Sequence, residues 1–143
     1  MTVASILNVK GHDVFTETGD KTLRQICTIL GERGIGAIVI VDKRGGIEGI
    51  VSERDVVRSI AKHGDDVLDQ PVTEHMTKKV VTCSESDTVN DVMAKMTSGR
   101  FRHLPVVKDG LLTGLISIGD VVKHRIAQIE REAEDMRNYI AMS

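Results

Sequence analysis

At 143 residues, 41% hydrophobic but only 2% aromatic, the chain has the length of one compact domain whose core must be built from Val, Ile, Leu and Met. A formal net charge of −2, with Lys and Arg interspersed among Asp and Glu, leaves no basic stripe for a nucleic-acid backbone, and the shortage of aromatics argues against stacking on single strands. No apolar stretch reaches membrane-spanning length, MTVASILNVKG carries no cleavage pattern of a secretory signal, and Cys27 and Cys83 stand alone in apolar surroundings; the expectation is a cytoplasmic protein with no nucleic-acid or membrane partner and no metal.

Leu23, Ile26, Cys27 and Leu30 fall at i, i+3, i+4 and i+7, the apolar stripe of an amphipathic helix. Thr22 with Gln25 supplies a capping box ahead of it, and Gly31 or Gly34 marks its end. The apolar run Ala37–Val41, turn chemistry over 42–46 and a second short run over 47–51 read as a strand, a hairpin turn and a strand. A helix then opens at Ser52 or Asp55, with Val56, Val57, Ile60 and Ala61 on one side, and the polar residues 63–71 connect onward.

The same order recurs. Thr88 and Asp91 precede the stripe Val89, Val92, Met93 and Met96, which ends near Gly99; strands over 104–107 and 111–116 flank a turn at 108–110. Residues 34–58 align without a gap onto 99–123, so that Gly34, Val41, Gly49, Ser52 and Asp55 recur as Gly99, Val106, Gly114, Ser117 and Asp120. Upstream the register slips by one, and Thr16 meets Thr82. Two copies are too few for an open solenoid; a pseudo-symmetric pair with a shared core and two equivalent clefts is expected, each half running strand, helix, strand, strand, helix.

The last helix runs on from Asp120 to about Ile140. Val122, Ile126, Ile129, Ala133, Met136 and Ile140 alternate by four and three, a heptad seam bordered by charges. It can pack on its own domain or on a second copy, and the narrowness of the stripe favours the second copy.

Gly, Ser and Asp at spacings of three stand at the strand-to-helix junction of both copies: Gly49, Ser52, Asp55 and Gly114, Ser117, Asp120. Glycine permits close backbone approach, free amides of a first helical turn suit phosphate, and a carboxylate can accept both hydroxyls of a ribose diol. Ser and Asp are equally good helix caps, and a duplicated cap would recur too.

With these motifs, and with GIGAIVIVD, EHMTKKVVT and RHLPVV, the chain resembles a stand-alone tandem cystathionine β-synthase (CBS) domain pair, or Bateman module, over nearly its whole length. The resemblance implies an α/β (α+β) fold of two β-α-β-β-α repeats, 8–66 and 74–130, with an extended C-terminal helix over 120–141. It implies a regulatory module without catalytic residues or catalytic cofactor that binds AMP, ADP, ATP, S-adenosylmethionine or NAD(H) in the clefts. It also implies a homodimer forming a disc of four CBS repeats and regulation of an unidentified protein.

By the same resemblance Asp55 and Asp120 hold ribose hydroxyls, Ser52 and Ser117 lie against ribose or phosphate, and Thr16 and Thr82, just after each first strand, lie beside base or sugar. Backbone groups from Ile38 to Ile40 and from His103 to Pro105 face adenine. Arg102, His103 and Lys21 are phosphate candidates. For Arg54, Arg58 and Arg100 a solvated surface charge is as good a reading as a ligand contact. The copies differ in charge: Glu53 and Arg54 precede Asp55, where Ile118 and Gly119 precede Asp120, and the ungapped alignment sets Arg100, Arg102 and His103 against Ile35, Ala37 and Ile38. The alternatives are a protein-interaction or oligomerisation module without nucleotide and a weak NAD(H)-using enzyme.

Overall fold

The computed structural model describes residues 1–142. In chain order the elements are α1 (Val3–Lys10), β1 (Thr16–Thr18), α2 (Leu23–Arg33), β2 (Ala37–Val41), β3 (Ile47–Ser52), α3 (Glu53–His63), α4 (Val89–Gly99), β4 (His103–Lys108), β5 (Leu111–Ser117) and α5 (Ile118–Met142). Two short 3-10 turns, Asp65–Asp69 and Val72–Glu74, lie between α3 and α4. β1 pairs parallel with β2, which pairs antiparallel with β3; β4 and β5 form a separate antiparallel hairpin.

Helices α2 and α4 form where capping and periodicity predict them. Thr22 accepts a bond from Gln25 N while Gln25 Oε1 accepts one from Thr22 N, and Thr88 with Asp91 makes the corresponding box on α4. The C-terminus of α4 differs from expectation. Gly34 ends α2 in the left-handed conformation (φ 62°), but on α4 that position is Arg100 (φ 55°), one residue beyond Gly99. A Cβ on Gly99 would lie 1.9 Å from the Phe101 ring, so the glycine there provides room, not handedness.

The first strand of the second copy is also shorter than expected. It consists of one parallel bridge, Cys83 to Val106, because Asp87 accepts from Ser84 N (2.9 Å) and donates its own N–H to Ser84 O (3.1 Å), turning the chain away at once.

The hairpins correct the ungapped alignment. Ala37 pairs with Ser52 and His103 with Ser117, whereas across the bulges Val41 pairs with Ile47 and Val107 with Leu112. The first turn is therefore one residue longer, and the true equivalents of Arg100, Arg102 and His103 are Gly34, Gly36 and Ala37.

Two apolar clusters form the core. The first joins Leu23, Ile26 and Leu30 of α2 to Ile38, Ile40, Val51 and Val56, together with Val67 and Val72 from the 3-10 turns. The second joins Val89, Val92 and Met96 of α4 to Leu104, Val106, Ile116 and Val121, and it is completed by Val3, Ile6 and Leu7 of α1. Helix α1, too short for sequence periodicity to mark it, thus packs on the other end of the chain. Each repeat is covered by the segment that precedes the other: Met76 lies over Gly49, where an added Cβ would meet its sulfur at 2.6 Å, and Leu7 lies over Gly114, with Cδ2 at 2.9 Å.

Helix α5 begins two residues earlier than expected, at Ile118, and buries only Val121. Val122, Ile126, Ile129 and Met136 are about half or more exposed, at 49, 52, 55 and 60%.

Candidate functional site

A cleft of about 470 Å³ opens between the first turns of α3, residues 77–81 of the connecting segment and the turn from α4 into β4. Its walls bring together Gly36, Ser52, Glu53, Arg54, Asp55, Arg58, Thr77, Lys79, Arg100, Arg102 and His103. The volume lies in the range of small-molecule sites.

Ser52 is the N-cap of α3. Its hydroxyl accepts from Asp55 N (3.3 Å), and Asp55 Oδ2 accepts from Ser52 N (2.9 Å), closing a capping box. The second oxygen, Oδ1, accepts from the Thr77 hydroxyl at 3.4 Å. Thr77 is fixed in turn by paired backbone bonds with Ile50, 2.8 and 3.0 Å long. A carboxylate is therefore held at the mouth of a helix N-terminus with one oxygen turned toward the cleft. Five cationic side chains and two carboxylates line this wall, so the field favours an anion, reinforced by the helix dipole.

Arg54 Nη1 donates to Arg100 O at 3.5 Å, linking α3 to the left-handed residue. His103 stands at the head of β4, opposite Gly36, where an added Cβ would lie 3.4 Å from its Nε2. Burial is the largest influence on His103 and pushes its pKa down; Lys10 and Arg102 add to that, against the opposing pull of Asp120 and Glu53.

Of the residues singled out in the sequence, Ser52, Arg54, Asp55, Arg100, Arg102 and His103 line this cleft. Thr16, Lys21, Ile38, Ile40, Thr82, Pro105, Ser117 and Asp120 are not among its lining residues. Thr16 opens β1 instead of following it. Lys21 lies at the approach to α2, its carbonyl accepting from Val72 N. Ile38 and Ile40 are fully buried on β2, a strand paired on both sides. Thr82 is next to the wall residue Val81, its carbonyl accepting from Lys95 Nζ, and Pro105 O accepts from Cys83 N. Thr77 and Lys79 were not anticipated; the quoted EHMTKKVVT contains both, but no local rule distinguishes them from solvated residues.

Ser117 and Asp120 repeat the cap at α5: Asp120 Oδ2 accepts from Ser117 N (2.9 Å) and Asp120 N donates to Ser117 Oγ (3.1 Å). Here the carboxylate is already matched by a cation. Lys10 Nζ lies 2.5 Å from Asp120 Oδ2 and 2.6 Å from Leu115 O. Burial pushes the Asp120 carboxyl upward, but bonds from Lys10 and Ser117 outweigh it and hold it below the usual value.

Among the described residues no group of His, Cys, Asp and Glu is arranged to hold a metal ion, and no helix is long and apolar enough to cross a membrane.

Comparison with known proteins matches the CBS domain model twice, over residues 6–62 and 72–127. A crystal structure of a CBS-domain containing protein from Agrobacterium tumefaciens is 44% identical, with a TM-score of 0.85 over 87% of this chain and 99% of that one. A CBS domain protein from Pyrobaculum aerophilum, complexed with AMP, is 28% identical with a TM-score of 0.74 over 84% of this chain and 89% of its own. Among curated relatives, the mitochondrial CBS domain-containing protein CBSX3 of Arabidopsis thaliana is 30% identical across 97% of this chain and 71% of its own length. An uncharacterized 17.7 kDa protein of Acidianus ambivalens is 32% identical across 77% of this chain, which spans 66% of that relative. The chain belongs to the CBS domain family, and its two matched segments form a tandem pair.

Proposed function

We propose that this protein is a regulatory module that binds a phosphate-bearing adenine nucleotide, AMP or NAD(H) foremost, in the cleft around Asp55. The observation that carries this reading is the convergence of a ribose-competent carboxylate with Arg54, Arg58, Lys79, Arg100 and Arg102 around one cavity. Asp55 accepts the ribose hydroxyls, Ser52 faces the sugar or phosphate at the positive end of α3, and the cationic wall takes the phosphate charge. A cationic ligand such as S-adenosylmethionine suits this wall less well. The AMP bound by the Pyrobaculum relative supports the ligand class. The module acts without catalysis: binding shifts its own shape or that of a cytoplasmic partner in proportion to its preference between two states.

The functional halves are repeats 8–66 and 74–130, and the assembly is a homodimer, a disc of four repeats joined through α5. The exposed heptad seam supports the dimer, as does a shallow depression of about 570 Å³ where Ile118, Val122 and Ile126 of α5 meet Arg102.

The test is thermal denaturation of nucleotide-stripped protein with AMP, ADP, ATP, NAD, NADH, S-adenosylmethionine and adenosine. A ligand at a hundred times its Kd adds about 2.7 kcal/mol of apparent stability. Phosphate-bearing nucleotides should raise the midpoint most. No shift with any of them refutes the nucleotide reading.

A further inference from the structure

The two repeats carry the same cap, but its neighbours differ. In the first, Ile50 O accepts from the backbone N–H of Thr77 (2.8 Å) and Asp55 Oδ1 from the Thr77 hydroxyl (3.4 Å). In the second, the equivalent carbonyl, Leu115 O, and the equivalent carboxylate, Asp120, are both taken by one ammonium, Lys10 Nζ, at 2.6 and 2.5 Å. A neutral hydroxyl leaves a carboxylate its charge and its capacity for further donors; an ammonium at ion-pair distance neutralises it.

Lys10 is held where it acts. It ends α1, whose Val3, Ile6 and Leu7 are buried in the second core, and its helix stops at Gly11 (φ 101°), whose N–H bonds to Leu7 O at 2.7 Å. Leu7 packs against Gly114 at the rear of the same junction. The ammonium thus comes from a segment anchored by its own apolar face, 110 residues away in sequence from the carboxylate it meets.

The surrounding charge differs too. Arg54 is replaced by Gly119 at the equivalent position before Asp120, and Arg102 corresponds to Gly36 in the first repeat. Both arginines line the first cleft, one from each repeat, so the cationic wall is concentrated there.

We propose that Lys10 acts as a resident counter-ion of the Asp120 junction and so makes the module a one-nucleotide binder: Asp55 offers a ribose diol an unmatched negative charge, whereas the charge of Asp120 is already matched by an ammonium held on its capping oxygen, Oδ2. This rests on the nucleotide reading of the Asp55 cleft. A diol at Asp120 meets a carboxylate whose charge Lys10 has already matched, so the second step is weaker than the first. Loss of a charge-assisted hydrogen bond sets that difference at about tenfold or more.

The test is calorimetric titration of the full chain with AMP, with folding of each variant checked by circular dichroism. Wild type should saturate at one AMP per chain, with any second step at least about tenfold weaker. Lys10→Met keeps the aliphatic stem and removes the ammonium; it should bring the second step to within about threefold of the first. Asp55→Asn in the Lys10→Met background should then leave the Asp120 step alone.

Two AMP molecules bound by wild type with equal affinity overturn the proposal, as does a folded Lys10→Met protein that still saturates at one. Should Lys10→Met fail to fold, the wild-type stoichiometry decides. Absence of all AMP binding by wild type refutes the nucleotide reading itself, and is distinct from binding with the wrong stoichiometry.

Discussion

Asp55 of the first repeat and Thr77 near the start of the second adjoin in the wall of the cleft, with the threonine hydroxyl donating to Asp55 Oδ1 while Asp55 Oδ2 accepts the capping-box bond from Ser52 N. The residue therefore serves two purposes that can be separated. Asp55→Ala removes the capping-box bond from Ser52 N and the proposed ribose acceptor together, costing about 1 kcal/mol of stability along with nucleotide affinity. Asp55→Asn retains an oxygen able to accept from Ser52 N but loses the charge. It should unfold within about 0.5 kcal/mol of wild type while binding AMP at least about tenfold more weakly. Parallel denaturation and calorimetry check this, and equal affinity in both variants would remove Asp55 from the site.

The cationic wall predicts a difference between charged and neutral ligands. Lys79→Ala and Arg102→Ala should each weaken AMP by about threefold to tenfold, with adenosine affected less, and the AMP effect should shrink at high salt. Calorimetry at two ionic strengths measures this. Equal losses for AMP and adenosine would assign these side chains to packing.

Gly49 and Gly114 are sites of close approach. An added Cβ would lie 2.6 Å from Met76 Sδ or 2.9 Å from Leu7 Cδ2, so the overlying segment must shift in either case. Leu7 is fully buried in the second core, whereas Met76 is a flexible side chain packed at the edge of the first. Gly114→Ala should therefore cost more than Gly49→Ala, about 1–3 kcal/mol. Urea denaturation decides, and the reverse order would show that α1 yields more readily than the connecting segment.

His103 gives the fold a pH dependence of definite sign. Its folded pKa lies below the ordinary 6.5, because burial disfavours the imidazolium, with Lys10 of α1 and neighbouring Arg102 adding to that against Asp120 of α5 and Glu53 of α3. As pH falls below 6.5, the unfolded chain takes up this proton before the folded one, so stability declines until pH passes the folded value. His103→Gln should flatten the stability profile over that window. An unchanged slope would transfer the effect to another group.

Helix α5 exposes an apolar seam that a lone copy leaves in water. Ile126→Glu with Ile129→Glu should convert a dimer into a monomer while preserving the far-ultraviolet circular dichroism spectrum, since α5 buries only Val121. Light scattering after size-exclusion chromatography reads the mass. A wild type that is already monomeric would assign the seam to a different partner.

The duplication was legible because the same pattern is written twice, and the caps of α2 and α4, both hairpins and the Gly, Ser, Asp junctions because each depends on residues within a few positions: a capping box spans three, a hairpin turn four or five, an apolar stripe seven. The junction motif pointed to Ser52 and Asp55, and only the family resemblance brought in Arg54, Arg100, Arg102 and His103; all six line one cleft. What local rules could not supply was distance in space. Thr77 and Lys79 join the cleft because the connecting segment crosses β3, Arg100 takes the left-handed place because Gly99 must make room for Phe101, and Lys10 reaches Asp120 because α1 completes the other repeat's core. Sequence symmetry made the two aspartates equal. Tertiary packing made them different, since the partner that neutralises one of them lies far outside any window over which backbone hydrogen bonds and periodicity operate.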